Sequence, residues 1–388
     1  MLLALAIATV TWQDLDPTIR SAFSRQGAAF DAWVRSVAAE NQRRMAEGEA
    51  DHLIHYVLQS RAFTTRTPIE PALSAKDHHD RSAIPNDASR RIDDFLASNA
   101  HNPRLDYFRK LAAGRRSWIA AEYERAMRFL YAKEWESRDQ QGQARRDAVA
   151  QLYRTRGHST DTSLDASFSL DAAIGVLAEQ GPRVRRALLI GPGLDIAPRT
   201  AFREDAPPQS VQPYALADSL LQRGLARADQ LEIVCADINP RVVQWIGGHP
   251  RRLQLFWNPT EPDHVSYFAN LGSAIGTRQG QALEVKPEIA ARIRAEQLDI
   301  ATSIPAGSFD LIAATNVLVY FNREEFGLAL QNIARALAPG GFFLHNENRD
   351  EVEPLGAALG IPVIHARMVR LPGTRALYDT AVIHAKPR

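Results

Sequence analysis

The sequence predicts an α/β protein, with a Rossmann-like open sheet preceded by a mainly helical N-terminal region. Three observations carry this expectation. A buried strand, Leu311 to Ala314, breaks at Thr315-Asn316 and gives way to an amphipathic helix from about Arg323 to Leu337. A Pro339-Gly340-Gly341 turn and a second strand, Phe342 to Leu344, follow. Upstream, the strand Arg186 to Ile190 runs into Gly191-Pro192-Gly193, and the strand Leu231 to Ile238 ends at Asp237. That order suits an open sheet that binds nucleosides beyond the carboxyl ends of its strands, where Asn316 also falls.

The chain has 388 residues, enough for two or three domains at about 100–200 residues each. Its 45% hydrophobic and 23% charged residues are ordinary for a globular protein and supply a sizeable core. The net charge of +1 gives no argument for a nucleic-acid partner. Cys235 is the single cysteine, so no disulfide forms within the chain, and its apolar surroundings suit a buried strand. No apolar run is long enough for a membrane span. Leu2 to Val10 is a short apolar run with no basic residue before Arg20. It reads either as a signal core, which would mean export, or as an element packed on the body of a cytoplasmic protein.

Along the chain, residues 1–11 form this apolar segment and residues 12–155 a helical domain. Leu53, Tyr56, Val57 and Leu58 keep helical spacing, as do Tyr123, Met127, Leu130 and Tyr131. Breaks fall at Thr67 to Pro71 and Ala83 to Ala88. A polar Ser/Thr-rich connector covers residues 156–171, and residues 172–388 have α/β character. His78-His79-Asp80 has no second cluster of matching spacing, and no metal site is expected.

Glycines at 191 and 193 let backbone approach a ligand without a Cβ in the way. The third glycine of a dinucleotide fingerprint is absent, because Ile196 occupies its place. Asp237 can accept both hydroxyls of a ribose. It lies 44 residues beyond Gly193, against the usual ~20. The excess, residues 197–212, is expected to lie over the ligand site as a lid. Asp299 follows an amphipathic stretch, Lys286 to Gln297, precedes the Phe309-Asp310 strand and suits an adenine amino group.

Several collinear blocks resemble the chemotaxis-receptor glutamate methyltransferases of the CheR type, over roughly residues 210 to 350. Gln212-Pro213-Tyr214-Ala215-Leu216-Ala217 is similar to the family's E-P-Y-S-x-A. Ala236-Asp237-Ile238-Asn239 resembles A-T-D-I-D, Tyr267-Phe268 resembles R-Y-F, Asn316 to Phe321 resembles N-V-x-I-Y-F, and Leu344 to Glu347 parallels G-H-S-E. The resemblance implies a class I methyltransferase domain with S-adenosylmethionine as cofactor. On it, Asp237 holds the ribose hydroxyls, Ile238 is a further cofactor-binding residue, Asp299 and Ile300 flank the adenine, Asn316 lines the methionine end and Tyr320 faces the transferred methyl. Gln212 stands where the family has a glutamate beside the cofactor's amino group, and Asp195 or Glu204 could supply the missing charge. Thr315 replaces a family arginine. The N-x-T-x-F-F-R block, whose arginine is associated with the receptor substrate, is absent, which argues against a chemoreceptor substrate.

The implied activity is methylation of a carboxylate or other oxygen, on a small molecule or a protein side chain. A hydroxyl or amine acceptor needs a general base, for which His345 is the candidate by position. The competing role for His345 is a strand-end histidine that caps backbone. The competing function is a non-catalytic binding or interaction module. A nicotinamide oxidoreductase is disfavoured by the missing glycine and the late Asp237.

Overall fold

The computed structural model describes residues 8–162, 164–196, 204, 206–255, 262–370 and 378–388. Half of the predicted lid, residues 197–203 and 205, lies outside them, as do residues 1–7 of the apolar N-terminal segment. The chain forms two compact units: an α/β unit from Met1–Gln42, Thr162–Leu194 and Ser210–Arg388, and a helical unit from Arg43–Asp161 and Asp195–Gln209.

The α/β unit is built on seven strands: β1 Arg186–Ile190, β2 Glu232–Asp237, β3 Ile293–Gln297, β4 Phe309–Ala314, β5 Leu337–His345, β6 Val363–Arg370 and β7 Tyr378–Ala385. Their spatial order is β6-β7-β5-β4-β1-β2-β3. The run from β5 to β3 is parallel, whereas β7 joins β5 antiparallel and β6 joins β7 antiparallel. The central strands are continuous apolar runs because both faces of a parallel sheet are covered. Leu188, Ile190, Val234, Ile312 and Phe343 enter one core with Phe326, Leu330 and Ile333 of the Arg323–Ala336 helix. The helix starts at a capping box, in which Asn322 accepts from the Glu324 and Glu325 amides and Glu325 accepts from the Asn322 amide.

Two expectations change here. Pro339-Gly340-Gly341 does not end the helix in a free turn. It is absorbed into β5 as an irregularity, with a register shift against β4 between Leu337 and Phe342. The exposed Pro339, which has no N–H to donate, sits where the ladder is broken, and the Gly340 amide pairs instead with the Lys386 carbonyl at 2.9 Å. The amphipathic stretch Lys286 to Gln297 holds a one-turn helix, Pro287–Ala290, and then β3. The strand Ala282–Val285 just before it pairs antiparallel with Gly276–Gln279 and Arg252–Gln254 in a separate small sheet.

The N-terminal segment is a working part of this unit. Ala8 and Thr9 pair with Ile304 and Ser303, and the Val10 amide donates to the Thr302 carbonyl at 2.9 Å. Val10, Leu15, Ile19, Phe23, Phe30 and Val34 then cluster on Leu328 of the Arg323–Ala336 helix. Among the described residues, no helix is long and apolar enough to cross a membrane.

The helical unit holds the C-terminal half of the Gly27–Gln59 helix and the helices Pro71–Arg81, Asn86–Ala97, Pro103–Ala112, Arg116–Glu134 and Gly142–Thr155. Fully buried Arg91 is saturated by main-chain carbonyls, including Val57 at 2.7 Å and Arg66 at 2.9 Å. Such carbonyls sit at helix ends and turns, and a five-donor guanidinium satisfies several at once. Gly48 marks the closest packing. A Cβ there would sit 1.7 Å from the His158 carbonyl oxygen, and one on Gly157 would sit 2.3 Å from the Gly48 nitrogen. Gly48→Ala is therefore expected to destabilise the protein by about 3 kcal/mol or more, because backbone must move. Gly247→Ala, which meets no atom within 4 Å, should change stability by less than about 0.5 kcal/mol. Thermal unfolding of both variants checks this, and equal melting temperatures would refute it.

Candidate active site

The strand order reverses at β1, which has β2 on one side and β4 on the other. A crevice opens at such a switch point, beyond the carboxyl ends of the strands. The residues that immediately follow β1, β2 and β4 are Gly191, Ile238 and Thr315.

Gly191 continues the β1–β2 ladder by donating to the Ala236 carbonyl at 2.8 Å, then turns with φ 64°. A Cβ on it would lie 2.4 Å from Val317 Cγ2. Glycine is needed for the conformation and for the approach of the chain that leaves β4. Gly193 follows with φ 62°. Its amide points to Asp237 Oδ2 at 3.3 Å, while Oδ1 accepts the Asn239 amide at 2.8 Å. The glycine loop and the acid of the second strand thus meet, with Asp237 buried to 7% exposure. Ile238 is half-buried beside it, and its carbonyl accepts from Gln297 Nε2 at 3.2 Å.

At the end of β4, Thr315 is buried and Asn316 exposed. Gln212 starts the Gln212–Gln222 helix at 2% exposure, and its Nε2 lies 3.3 Å from Thr315 Oγ1. Its Oε1 is buried without a hydrogen-bond partner among the described residues. A buried acceptor left open costs about 1–3 kcal/mol, so it marks a place where a donor is expected. The ammonium of an amino-acid group is such a donor. Together with the glycine corner and the strand-end Asp237, this open oxygen fits an adenosyl group carrying an amino-acid tail.

Asp299 and Ile300 follow β3. Asp299 accepts from Asn41 Nδ2 at 2.9 Å and from the Ala301 amide at 3.0 Å. Burial pushes its carboxyl above the ordinary range, against the pull of these donors. Ile300 is a core residue at 3% exposure, and its carbonyl is taken by Asn332 Nδ2 at 2.8 Å. It has almost no surface left for a ring to lie on. Tyr320 closes the 3-10 turn Leu318–Tyr320 just beyond Asn316, with its ring half-buried against the sheet core.

One expectation is corrected. His345 is 1% exposed and does not serve the crevice as a base. Its Nδ1 accepts the Glu347 amide at 3.1 Å, so its proton is on Nε2 and is donated to His384 Nε2 at 2.9 Å. His384 in turn donates from Nδ1 to the Ile361 carbonyl at 2.7 Å. The pair is neutral and saturated, with Phe343 stacked on both rings. The backbone-capping role is the one realised. Asp195 and Glu204, offered as replacements for the missing glutamate, belong to the helical unit. There Glu204 takes the Ser60 hydroxyl and the Arg61 and Ala62 amides, the latter two at 3.1 and 3.2 Å. Arg104, buried beside Asp195, donates to the Asp195 carbonyl at 2.9 Å, and burial pulls its guanidinium down to about 10.

The sequence reading missed Asn346 and Asp379. Asn316 and Asn346 form a reciprocal pair, tied to Asp379 at the start of β7. The only sequence signal was the L-H-N-E block around Asn346; Asp379 follows undescribed residues and carries none.

Residues 211–352 match the family described as "CheR methyltransferase, SAM binding domain". A chemotaxis protein methyltransferase of Klebsiella aerogenes is 27% identical over 145 residues, which is 36% of this chain and 49% of that protein. The chain thus matches about half the length of this relative. Among solved structures, the N-methyltransferase NodS of Bradyrhizobium japonicum WM9 is similar over 57% of this chain and 87% of its own, at 16% identity and a TM-score of 0.33. The magnesium protoporphyrin IX methyltransferase of Synechocystis aligns over 57% and 80%, at 11% identity and a TM-score of 0.32.

The imidazole pair sets a pH dependence. Burial pushes both histidines below the ordinary value of ~6.5, His345 furthest, with repulsion between the two adding to it. The unfolded chain therefore binds more protons, and this contribution to stability is present above about pH 6.5 and lost as pH falls below it. Melting temperature should drop from pH 7.5 to pH 5. In His345→Gln the drop should be shallower, with a loss of about 1 kcal/mol at pH 7.5 from the changed hydrogen bonds. Parallel slopes for the two proteins would refute the assignment. Residues 211–352 of this chain thus match the CheR-type S-adenosylmethionine-binding domain, and the strand order around them is that of a class I methyltransferase sheet.

Proposed function

We propose that the protein is an S-adenosylmethionine-dependent methyltransferase that methylates a carboxylate or another oxygen, on a small molecule or a protein side chain. The observation that carries this is the open Gln212 Oε1 at the switch point, beside the Gly193–Asp237 contact. Bound there, the cofactor supplies an electrophilic methyl on a sulfonium. Asp237 accepts from the ribose hydroxyls. Gln212 accepts from the ammonium, and Asn316 lines the methionine end. Asp299 lies toward the adenine. Tyr320, on the turn after Asn316, orients the acceptor oxygen near the transferred methyl.

Positioning and exclusion of water do most of the work in such an in-line displacement. A carboxylate acceptor is ionised at neutral pH and needs no base, which agrees with the withdrawal of His345 from the crevice. The Klebsiella relative is named for a protein substrate, so side-chain carboxylates are the first class to test. Gln212 and Thr315, which replace charged family residues, favour one second reading: a domain that binds cofactor without turning it over.

Calorimetry should show binding of S-adenosylmethionine and none of NAD. Asp237→Ala is expected to weaken that binding by about 1.5–3 kcal/mol, the loss of hydrogen bonds to a charged group; unchanged affinity would remove Asp237 from the site. Transfer of labelled methyl to a carboxylate gives an ester that alkali releases as methanol, and an alkali-stable product would sink the carboxylate assignment. Tyr320→Phe should keep cofactor affinity but lower turnover ~10–100-fold, about 1.4–2.7 kcal/mol of transition-state stabilisation. A silent substitution would make Tyr320 a core aromatic. Binding with no methyl transfer to any acceptor would support the second reading.

A further inference from the structure

We infer that Asn346, held by Asp379, is a positioning residue: it fixes which end of the Asn316 amide a bound cofactor meets. The inference rests on the reading that the crevice holds S-adenosylmethionine. Asn316 has φ 58°, in the left-handed region that asparagine tolerates. Its backbone amide donates to Asn346 Oδ1 at 2.8 Å. A backbone N–H can only donate, so the facing atom of Asn346 is its oxygen. The other end, Nδ2, lies 3.1 and 3.2 Å from the two oxygens of Asp379. An ionised carboxylate can only accept, so Asp379 selects the same orientation. Asn346 Nδ2 also donates to Asn316 Oδ1 at 2.8 Å.

The consequence falls on Asn316. Its Oδ1 is turned to Asn346, and its Nδ2 is the end left toward solvent on an exposed residue at the end of β4. No flip is available that keeps the network, because obligate donors and acceptors fix both amides. The crevice therefore meets a donor at Asn316. On the adjacent Thr315, the Gln212 amide is engaged through Nε2, which leaves an acceptor open. A donor and an acceptor at neighbouring positions match the two charges of an α-amino acid. The structure assigns the Asn316 Nδ2 to the carboxylate of the cofactor's methionine end. Asp379 has no cation within ion-pair distance among the described residues, and it is held by Asn346 and by the Thr380 amide at 2.8 Å. Its charge is thus available to bias the asparagine.

The test inverts the polarity of Asn316. In Asn346→Asp the new carboxylate still accepts the Asn316 amide, but its second oxygen forces Asn316 to turn Nδ2 inward and Oδ1 outward. Calorimetry with S-adenosylhomocysteine should show about 10- to 150-fold weaker binding, the loss of a hydrogen bond to a charged group. 5′-Methylthioadenosine, which lacks the amino-acid end, should bind Asn346→Asp as it binds the wild type, and it reports that the site is folded. The double variant Asn346→Asp/Asp379→Asn removes the clash between two carboxylates but keeps the inversion, so it should keep the selective loss. Asp379→Asn alone should stay within about 3-fold of wild type, because the Asn316 amide still orients Asn346. An equal loss for both nucleosides, unchanged affinity for S-adenosylhomocysteine in Asn346→Asp, or full recovery in the double variant would overturn the positioning role while leaving the cofactor reading intact. Wild-type protein that binds neither nucleoside would overturn both.

Discussion

The reversal of strand order at β1 is the constraint on which the site depends. One crossover leaves β1 toward β2 and another brings the chain back to β4 on the other side, so a crevice opens at the strand ends between them. The two flanks are then drawn together by a contact that only glycine permits, Gly191 against Val317. Any side chain at 191 would meet Val317 Cγ2, and the left-handed backbone there would be strained as well. The corner in turn presents the Gly193 amide to Asp237, and it sets Thr315 and Asn316 opposite the start of the Gln212–Gln222 helix. Chemistry at this place is therefore a matter of what a few fixed dipoles face, since the supporting elements are packed through both faces of the sheet.

Polar groups in the α/β unit sort into committed and open ones, and this sorting decides function better than their identities do. His345 looks like a base in sequence, but both of its nitrogens are spent on the Glu347 amide and on His384. Asp299 is partly spent on Asn41 and on its own turn. Gln212 looks like a weakened glutamate, yet its Oε1 is the group left open. An amide oxygen is a neutral acceptor. It can accept a hydrogen bond from an ammonium without the desolvation cost that a buried carboxylate carries when the crevice is empty. The substitution of glutamine for the family's glutamate is consistent with a site built for the same ligand at lower electrostatic gain.

Much of this was legible in the sequence. Strand-end glycines and acids declare themselves because each β-strand of a parallel sheet is a short apolar run with an abrupt polar end. Arg186–Ile190 was placed to the residue and Glu232–Asp237 to within one residue at each end. The interval around 286–297 was harder, because a one-turn helix and a half-exposed edge strand share one mixed apolar and polar pattern. The Pro339-Gly340-Gly341 bulge could not be told from a turn, since both use residues that interrupt a ladder. The Leu164–Ala178 helix begins inside a Ser/Thr-rich stretch that local pattern marks as connector. The His345–His384 and Asn346–Asp379 contacts join residues 39 and 33 positions apart. They exist only because β7 returns antiparallel to β5, and no local pattern records that pairing.

The N-terminal segment shows the same point at larger scale. Trp12, Phe23, Phe30 and Trp33 read as the start of a helical domain, but they pack with Val10 and Leu328 on the Arg323–Ala336 helix. Hydrogen bonds from the Asp16 amide to Gln331, and from Arg335 to the Asp14 carbonyl, fasten the segment to that helix at 2.6 and 2.7 Å. The Arg323–Ala336 helix thus buries one face on the sheet and another under residues between Val10 and Val34, which explains why nearly all of its positions are apolar or paired. The same helix follows directly from the Asn316–Tyr320 turn. Its capping box at Asn322 fixes where the turn must end, and Arg349 fastens the turn by donating to the Leu318 and Phe321 carbonyls at 2.8 and 2.9 Å. A segment far from the crevice in sequence therefore bears on the rigidity of Tyr320 and Asn316. It does so by holding the helix that anchors their loop.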